Sequence, residues 1–221
     1  METIEKKIYQ IPLEKQHTIY KDKNGKILYG TTTVLNILAK PALYQWYYKM
    51  GKEGINPFKK KDTAGDIGTI AHALIMCHLK GWELDKSNLP PQNVSIAENC
   101  VISYFEWEKG KTIKPLLIEQ ELIDEVLGYG GTIDLYGEID KELCLIDFKT
   151  SSGIYKDMWY QVAGYRNLLQ KNKYQVDKVT ILNIGKDENS DFAMKSLKNT
   201  DIQFEIFKNC LNTYKLQKEE K

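Results

Sequence analysis

Two short alternating segments separated by five residues constrain this chain more than anything else in it. Gly131-Thr-Ile-Asp-Leu-Tyr-Gly137 and Leu143-Cys-Leu-Ile-Asp-Phe-Lys149 alternate as strands do, and Glu138 to Glu142 supply the turn between them. With the turn centred on Asp140-Lys141, paired residue numbers sum to 281, so Asp134 falls opposite Asp147. Directly opposed Cβ atoms on a hairpin lie about 5 Å apart, where like charges repel. An apolar hairpin that holds two carboxylates there needs a cation between them. Period-two alternation puts Lys149 on the face of Asp147, one step along the strand. Two acids and a lysine on one face make a site for a divalent metal and a phosphodiester.

The spacing of Asp134, then Asp147-Phe-Lys149, resembles the PD-(D/E)XK nuclease superfamily. Ile133 stands where the written motif has proline. The glycine-rich approach Gly128-Tyr-Gly-Gly-Thr-Ile-Asp134 is similar to the RecB-like branch, as is the continuation through Lys149 into Thr150-Ser151. Asp-x-Lys alone recurs by chance in a lysine-rich chain; the whole assembly is specific. The resemblance extends to Gly68-Thr-Ile-Ala-His72, which has the form of the helix whose histidine ligates metal in RecB-like and viral-type exonucleases. It extends also to Gln161 and Tyr165, spaced i,i+4 on one helical face, where the family's Gln-x-x-x-Tyr supports the site and contacts substrate. Thr31 to Trp46 and Ile181 to Lys186 are similar to the phage- and mitochondrial-type exonucleases. The match therefore runs over nearly the full chain.

The resemblance implies an α/β fold: a restriction-endonuclease-like core, a mixed β-sheet flanked by helices, with an amino-terminal helical portion carrying His72. It implies Mg²⁺- or Mn²⁺-dependent exonucleolytic hydrolysis of DNA, with Asp134, Asp147 and Lys149 catalytic. The metal ligands would be His72, Asp134, Asp147 and the Phe148 backbone carbonyl. Oxygen donors with one imidazole suit Mg²⁺ or Mn²⁺. Beside such cations Lys149 should deprotonate more readily than a free lysine. Glu119 is a further candidate ligand, because many relatives carry a glutamate on the preceding strand; Glu121 shares its face at period two, so either residue fits the pattern. Thr150, Ser151, Gln161 and Tyr165 are candidate substrate contacts. The rival readings are a structure-selective endonuclease of the same fold and a catalytically inactive DNA-binding module. Loss of an acid or the lysine marks the latter, and all are present.

Taken alone, a helical histidine is more often structural than a ligand, and only the motif lifts His72 above His78 and His17. Composition bounds the rest. At 221 residues, 42% hydrophobic and 28% charged, the chain suits a single domain spanning 1–221. Its apolar runs are too short for a membrane span, and the acidic start Met-Glu-Thr-Ile-Glu is unlike a signal peptide, so a cytoplasmic protein (host cytoplasm if viral) is expected. Cys77, Cys100, Cys144 and Cys210 are scattered without a C-x-x-C pair, which argues against zinc or Fe–S ligation and for buried thiols. Arg166 is the only arginine; base reading favours arginine forks, so non-specific lysine contact with DNA phosphates is expected. Lys59, Lys60 and Lys61 are candidates for it, against the plainer alternative of a solvated charged loop.

Along the chain the pattern predicts a hairpin over 17–29 with a type I′ turn at Asn24-Gly25, and N-caps at Thr31 to Thr33 for a helix from Val34 to Ala39. A helix carries Leu43 to Lys49, a polar loop covers 54–66, and a helix runs from Gly68 to Leu79. Ser95-x-x-Glu98 reads as a capping box opening a helix to Lys109. Strands are expected over 116–123, 178–184 and 192–197, and helices over 157–169 and 201–216.

Overall fold

The computed structural model describes residues 6–12, 18–186 and 191–220; His17 and the turn-rich 187–190 lie outside these. The elements run β1 (Ile8–Tyr9), β2 (Tyr20–Lys21), β3 (Ile27–Gly30), α1 (Thr31–Leu35), α2 (Pro41–Lys52), α3 (Pro57–Lys80), β4 (Glu83–Leu84) and α4 (Pro91–Glu108). There follow β5 (Ile113–Asp124), β6 (Tyr129–Ile139), β7 (Glu142–Lys149), α5 (Lys156–Lys171), β8 (Lys178–Ile184), β9 (Phe192–Leu197) and α6 (Asp201–Glu219). Seven strands form one mixed sheet: β2-β3-β6-β7-β8-β9 in order, with β5 also paired to β6. β7 and β8 are parallel and joined by α5, while β5, β6 and β7 are consecutive antiparallel neighbours. This is the helix-flanked mixed α/β sheet that the sequence implied.

The sheet is covered on both faces because its strands present apolar side chains in both directions. One layer packs Val34 of α1, Val162 and Leu168 of α5 and Phe207 of α6 against Ile133, Leu145 and Ile181. The other packs Ile70 and Ile75 of α3 and Tyr104 and Trp107 of α4 against Ile146, Phe148 and Leu182. Each such side chain, fully buried, contributes about 1.5–3 kcal/mol of transfer free energy. The four cysteines are buried, as expected.

The central hairpin has the expected register: Leu135 pairs Ile146, Tyr136 pairs Leu145 and Ile139 pairs Glu142. Its two-residue turn is Asp140-Lys141, both left-handed (φ 50 and 71), the backbone of a type I′ turn. Without glycine that conformation is strained, and a clamp holds it: Asp140 N donates to Thr112 O at 3.0 Å while Thr112 N donates to Asp140 Oδ1 at 2.9 Å.

Four local expectations are corrected. The loop over 54–66 is helical: α3 starts at Pro57, and Asn56 caps it by accepting from the Phe58 and Lys59 amides. α4 opens at Pro91, four residues before Ser95, so the Ser95/Glu98 pair lies inside the helix and caps nothing. The threonines likewise belong to α1 itself, whose N-cap is Gly30; Thr31 Oγ1 donates to Gly130 O at 2.8 Å instead. The Asn24-Gly25 connection has only Gly25 left-handed (φ 81), and Asp22 Oδ1 accepts from the Asn24 and Lys26 amides. It is a three-residue loop closed by a left-handed glycine, not a type I′ turn.

Candidate metal centre

β6 and β7 part company where the acids lie. Their ladder ends at Leu135–Ile146, and β3 takes over the edge of β6 at Tyr129 and Gly130. One step past the last pair, the Phe148 amide donates to Asp134 Oδ2 at 2.7 Å, so a carboxylate replaces the missing ladder carbonyl. On the other side of β6 the pairs Ile118–Leu135 and Gln120–Ile133 place Glu119 opposite Asp134. Glu119, Asp134 and Asp147 therefore stand in a row across three adjacent strands.

Glu119 itself is left-handed (φ 50), a conformation costing an ordinary residue about 1–3 kcal/mol. Its consequence is visible in the packing. Leu117 and Leu122, five apart, reach the same core layer, as do Ile133 and Tyr136, three apart. A regular strand sends residues an odd number apart to opposite faces, so both strands change face near the Glu119–Asp134 pair. That turns the two carboxylates toward α3.

His72 on α3 meets them there. Its Nδ1 lies 3.7 Å from Glu119 Oε1 and 3.6 Å from Asp134 Oδ1, and the ring packs edge-on to Phe148 with centroids 5.9 Å apart. One ligand atom from each of His72, Glu119 and Asp134 fits within 4.8 Å of the others. Donors so spaced fit around one cation with bonds of about 2.0–2.6 Å. A 360 Å³ cleft lined by Tyr9, Gly68, His72, Met76 and Glu119 opens beside them. Of the two glutamates that alternation left open, Glu119 is the one beside His72; Glu121 pairs Thr132 two steps away.

Asp147 and Lys149 form a second, deeper pair, Oδ2 to Nζ 2.6 Å apart, with the Asp147 side chain only 2% exposed. Gln161 stands over them, donating to Tyr165 OH at 2.8 Å and reaching Asp147 Oδ1 at 3.5 Å. α5 is fixed in that position by buried polar groups: Asn167 Nδ2 donates to Asp124 Oδ2 and to Tyr129 OH, which donates to Gly164 O. A Cβ on Gly131 would collide with the Tyr165 ring, so the bare backbone of β6 is what lets α5 come so close.

Charge follows from this crowding. Burial disfavours the His72 imidazolium, yet Asp134 and Glu119 outweigh it and lift its pKa to about 9, with Lys149 opposing. Asp147 is pushed up to about 6, chiefly by burial, against the pull of Lys149 and with Asp134 adding. Asp134 is also raised, by burial first, although His72 opposes. With no metal bound, burial works against the Lys149 ammonium, but Asp147 and Asp134 prevail and raise its pKa. The donor set, three crowded carboxylates and a neutralisable imidazole, fits a hard divalent cation.

The other candidates are placed as follows. Thr150 Oγ1 lies against Gly68 of α3, where a Cβ would come within 3.1 Å of it. Ser151 Oγ donates to Gly153 O and lies 3.2 Å from Asn183 Oδ1. Lys59, Lys60 and Lys61 occupy the first turns of α3, about three to three and a half turns before His72. His78 sits on Glu108 at 3.0 Å, a structural pair. Arg166 is spent on the Lys198 and Val176 carbonyls. Two neighbours escaped the sequence reading: Tyr20, whose hydroxyl lies 3.0 Å from Thr132 Oγ1, and Asn183, beside Lys149 in the ladder. Both depend on non-local strand pairings that leave no local signal.

No family model and no curated protein matches the chain. Among solved structures it is similar to an alkaline exonuclease (LHK-Exo) from Laribacter hongkongensis at 13% identity, covering 86% of this chain and 87% of that one, TM-score 0.44. The same exonuclease in complex with dAMP gives 14%, 87% and 88%, again at 0.44. Overlaps this loose do not by themselves assign a fold, which rests on the sheet and helices above. No described helix is long and apolar enough to cross a membrane.

Proposed function

We propose that this chain is a Mg²⁺- or Mn²⁺-dependent DNA exonuclease of the PD-(D/E)XK superfamily, RecB-like branch, acting in DNA recombination, repair or replication. The observation that carries this is the convergence of His72, Glu119 and Asp134 from three elements beside the Asp147–Lys149 pair. His72, Glu119 and Asp134 would hold the metal, with Asp147 and the Phe148 carbonyl as further ligands. A divalent ion there would lower the pKa of a bound water and neutralise charge on the scissile phosphate.

The chain's own groups divide the remaining work. Lys149, 2.6 Å from Asp147, would orient the attacking water and stabilise charge on the phosphoryl oxygens. Gln161, tied to Tyr165, holds the Asp147 carboxylate in place and presents an amide to the strand being cut. Thr150 and Ser151, following Lys149 directly, are the proposed backbone contacts on the same side, and Lys59, Lys60 and Lys61 supply non-specific phosphate attraction. An inactive DNA-binding module is disfavoured because every acid and the lysine are in place. The test incubates end-labelled single- and double-stranded DNA, and covalently closed circles, with Mg²⁺, Mn²⁺ or EDTA. Metal-dependent loss of linear DNA with intact circles supports the reading. Circle cleavage moves it to an endonuclease, and inertness with every metal overturns it.

A further inference from the structure

A second cavity, of 880 Å³, lies apart from the acidic residues, between the start of α3, the middle of α4 and the end of β8. Its walls include Ile55, Ile67 and Ile96, and its cations are Lys59, Lys60 and Lys186; no carboxylate lines it among the described residues. Lys61, on the adjacent face of α3, does not take part.

Lys186 is held in place. Asn99 Nδ2 of α4 donates to its carbonyl at 3.1 Å, and Ser103 Oγ lies 3.4 Å from the Gly185 carbonyl. Gly185 is needed because a Cβ there would stand 2.7 Å from Asp191 O. The ammonium so placed reaches the Ala64 carbonyl at 3.5 Å, a long contact for a half-buried charge, and burial lowers its pKa. A desolvated cation is costly unless an anion compensates it. A largely apolar recess lined by three lysines, Lys59 and Lys60 exposed at its edge and Lys186 half-buried, of a volume usual for small-ligand sites, fits a molecule with an anionic end and a flat or apolar body.

We propose that this cavity binds a nucleotide, the phosphate at Lys59, Lys60 and Lys186 and the base against the isoleucine walls. The choice of a nucleotide among phosphate esters rests on the nuclease reading; the preference for an anion with an apolar body does not. The occupant is either a free mononucleotide or one unit of a DNA strand.

The test is calorimetric titration with thymidine 5′-monophosphate in EDTA, where no metal recruits nucleotide to the acidic residues. Binding is expected to weaken about tenfold or more in Lys186→Met, where a charged hydrogen bond is lost, and also in Ala64→Leu, which fills the chamber. It should be unchanged in Asp147→Asn. Inorganic phosphate and thymidine should each bind more weakly than the monophosphate. Competition by a thymidine tetranucleotide identifies a strand as the occupant; its failure to compete identifies the free mononucleotide. No binding, equal binding in wild type and both cavity variants, or loss of binding in Asp147→Asn overturns the proposal. None of these bears on metal-dependent hydrolysis, which is read separately.

Discussion

Raising the pH of the metal-free protein should weaken it in a way that a metal ion reverses. His72 has its pKa lifted from 6.5 to about 9 by Asp134 and Glu119. A group whose folded pKa is raised contributes stability that is complete below its unfolded pKa and lost as pH climbs through the folded value. The window is therefore pH 6.5 to about 9. A shift of about 2.5 units corresponds to about 3 kcal/mol; the side chain keeps 28% exposure, and solvent screening reduces this to about 1–2 kcal/mol. For a protein of this size each kcal/mol moves Tm by about 2–4 °C, so melts in EDTA should fall by about 3–6 °C over that window. The comparison is with His72→Gln, which has no imidazole to titrate and should lack this component. Mg²⁺ or Mn²⁺ needs the neutral ring, so its affinity should rise with pH, up to about tenfold per unit below 9, and the metal-induced stabilisation should grow as the metal-free protein weakens. Identical pH slopes in wild type and His72→Gln, with metal affinity indifferent to pH, would refute the electrostatic account.

Asp147→Asn or Lys149→Met should cut DNA hydrolysis by about 10³-fold or more, about 4 kcal/mol of barrier, with circular dichroism and DNA affinity little changed; near-normal turnover in either removes them from the chemistry. Glu119→Gln should weaken metal binding about tenfold or more while Glu121→Gln leaves it unaltered, as isothermal titration with Mn²⁺ will show; the opposite ranking would contradict the left-handed turn that sets Glu119 beside His72. Gly131→Ala should destabilise by about 1–3 kcal/mol in urea melts, because its Cβ displaces Tyr165, and activity should fall with it; a neutral result would mean that α5 is free to move away.

What the sequence made legible was whatever short-range periodicity controls. The hairpin register, its Asp140-Lys141 turn and the Asp147–Lys149 pairing follow from alternation and a five-residue gap, and the structure has all three. Glu119 and Glu121 were indistinguishable because period two assigns them one face; a left-handed residue that makes two paired strands change face together is invisible to that rule. The start of α3 was misread for a different reason. The lysine run and glycines of 54–66 look polar and loose, yet Asn56-Pro57 is a cap followed by a first-turn proline, which is the stronger signal. Pro90-Pro91 outranked Ser95/Glu98 in the same way. That Asp147 and Asp134 outweigh burial at Lys149 when no metal is bound is a tertiary fact that no local pattern carries.

The most direct test of the metal centre is anomalous diffraction from crystals of the protein soaked in Mn²⁺. A peak bounded by His72 Nδ1, Glu119 and Asp134, lost in Asp134→Asn, is the predicted result. Ordered crystals with no peak there, or with manganese bound only at surface carboxylates such as Glu142, would contradict the account.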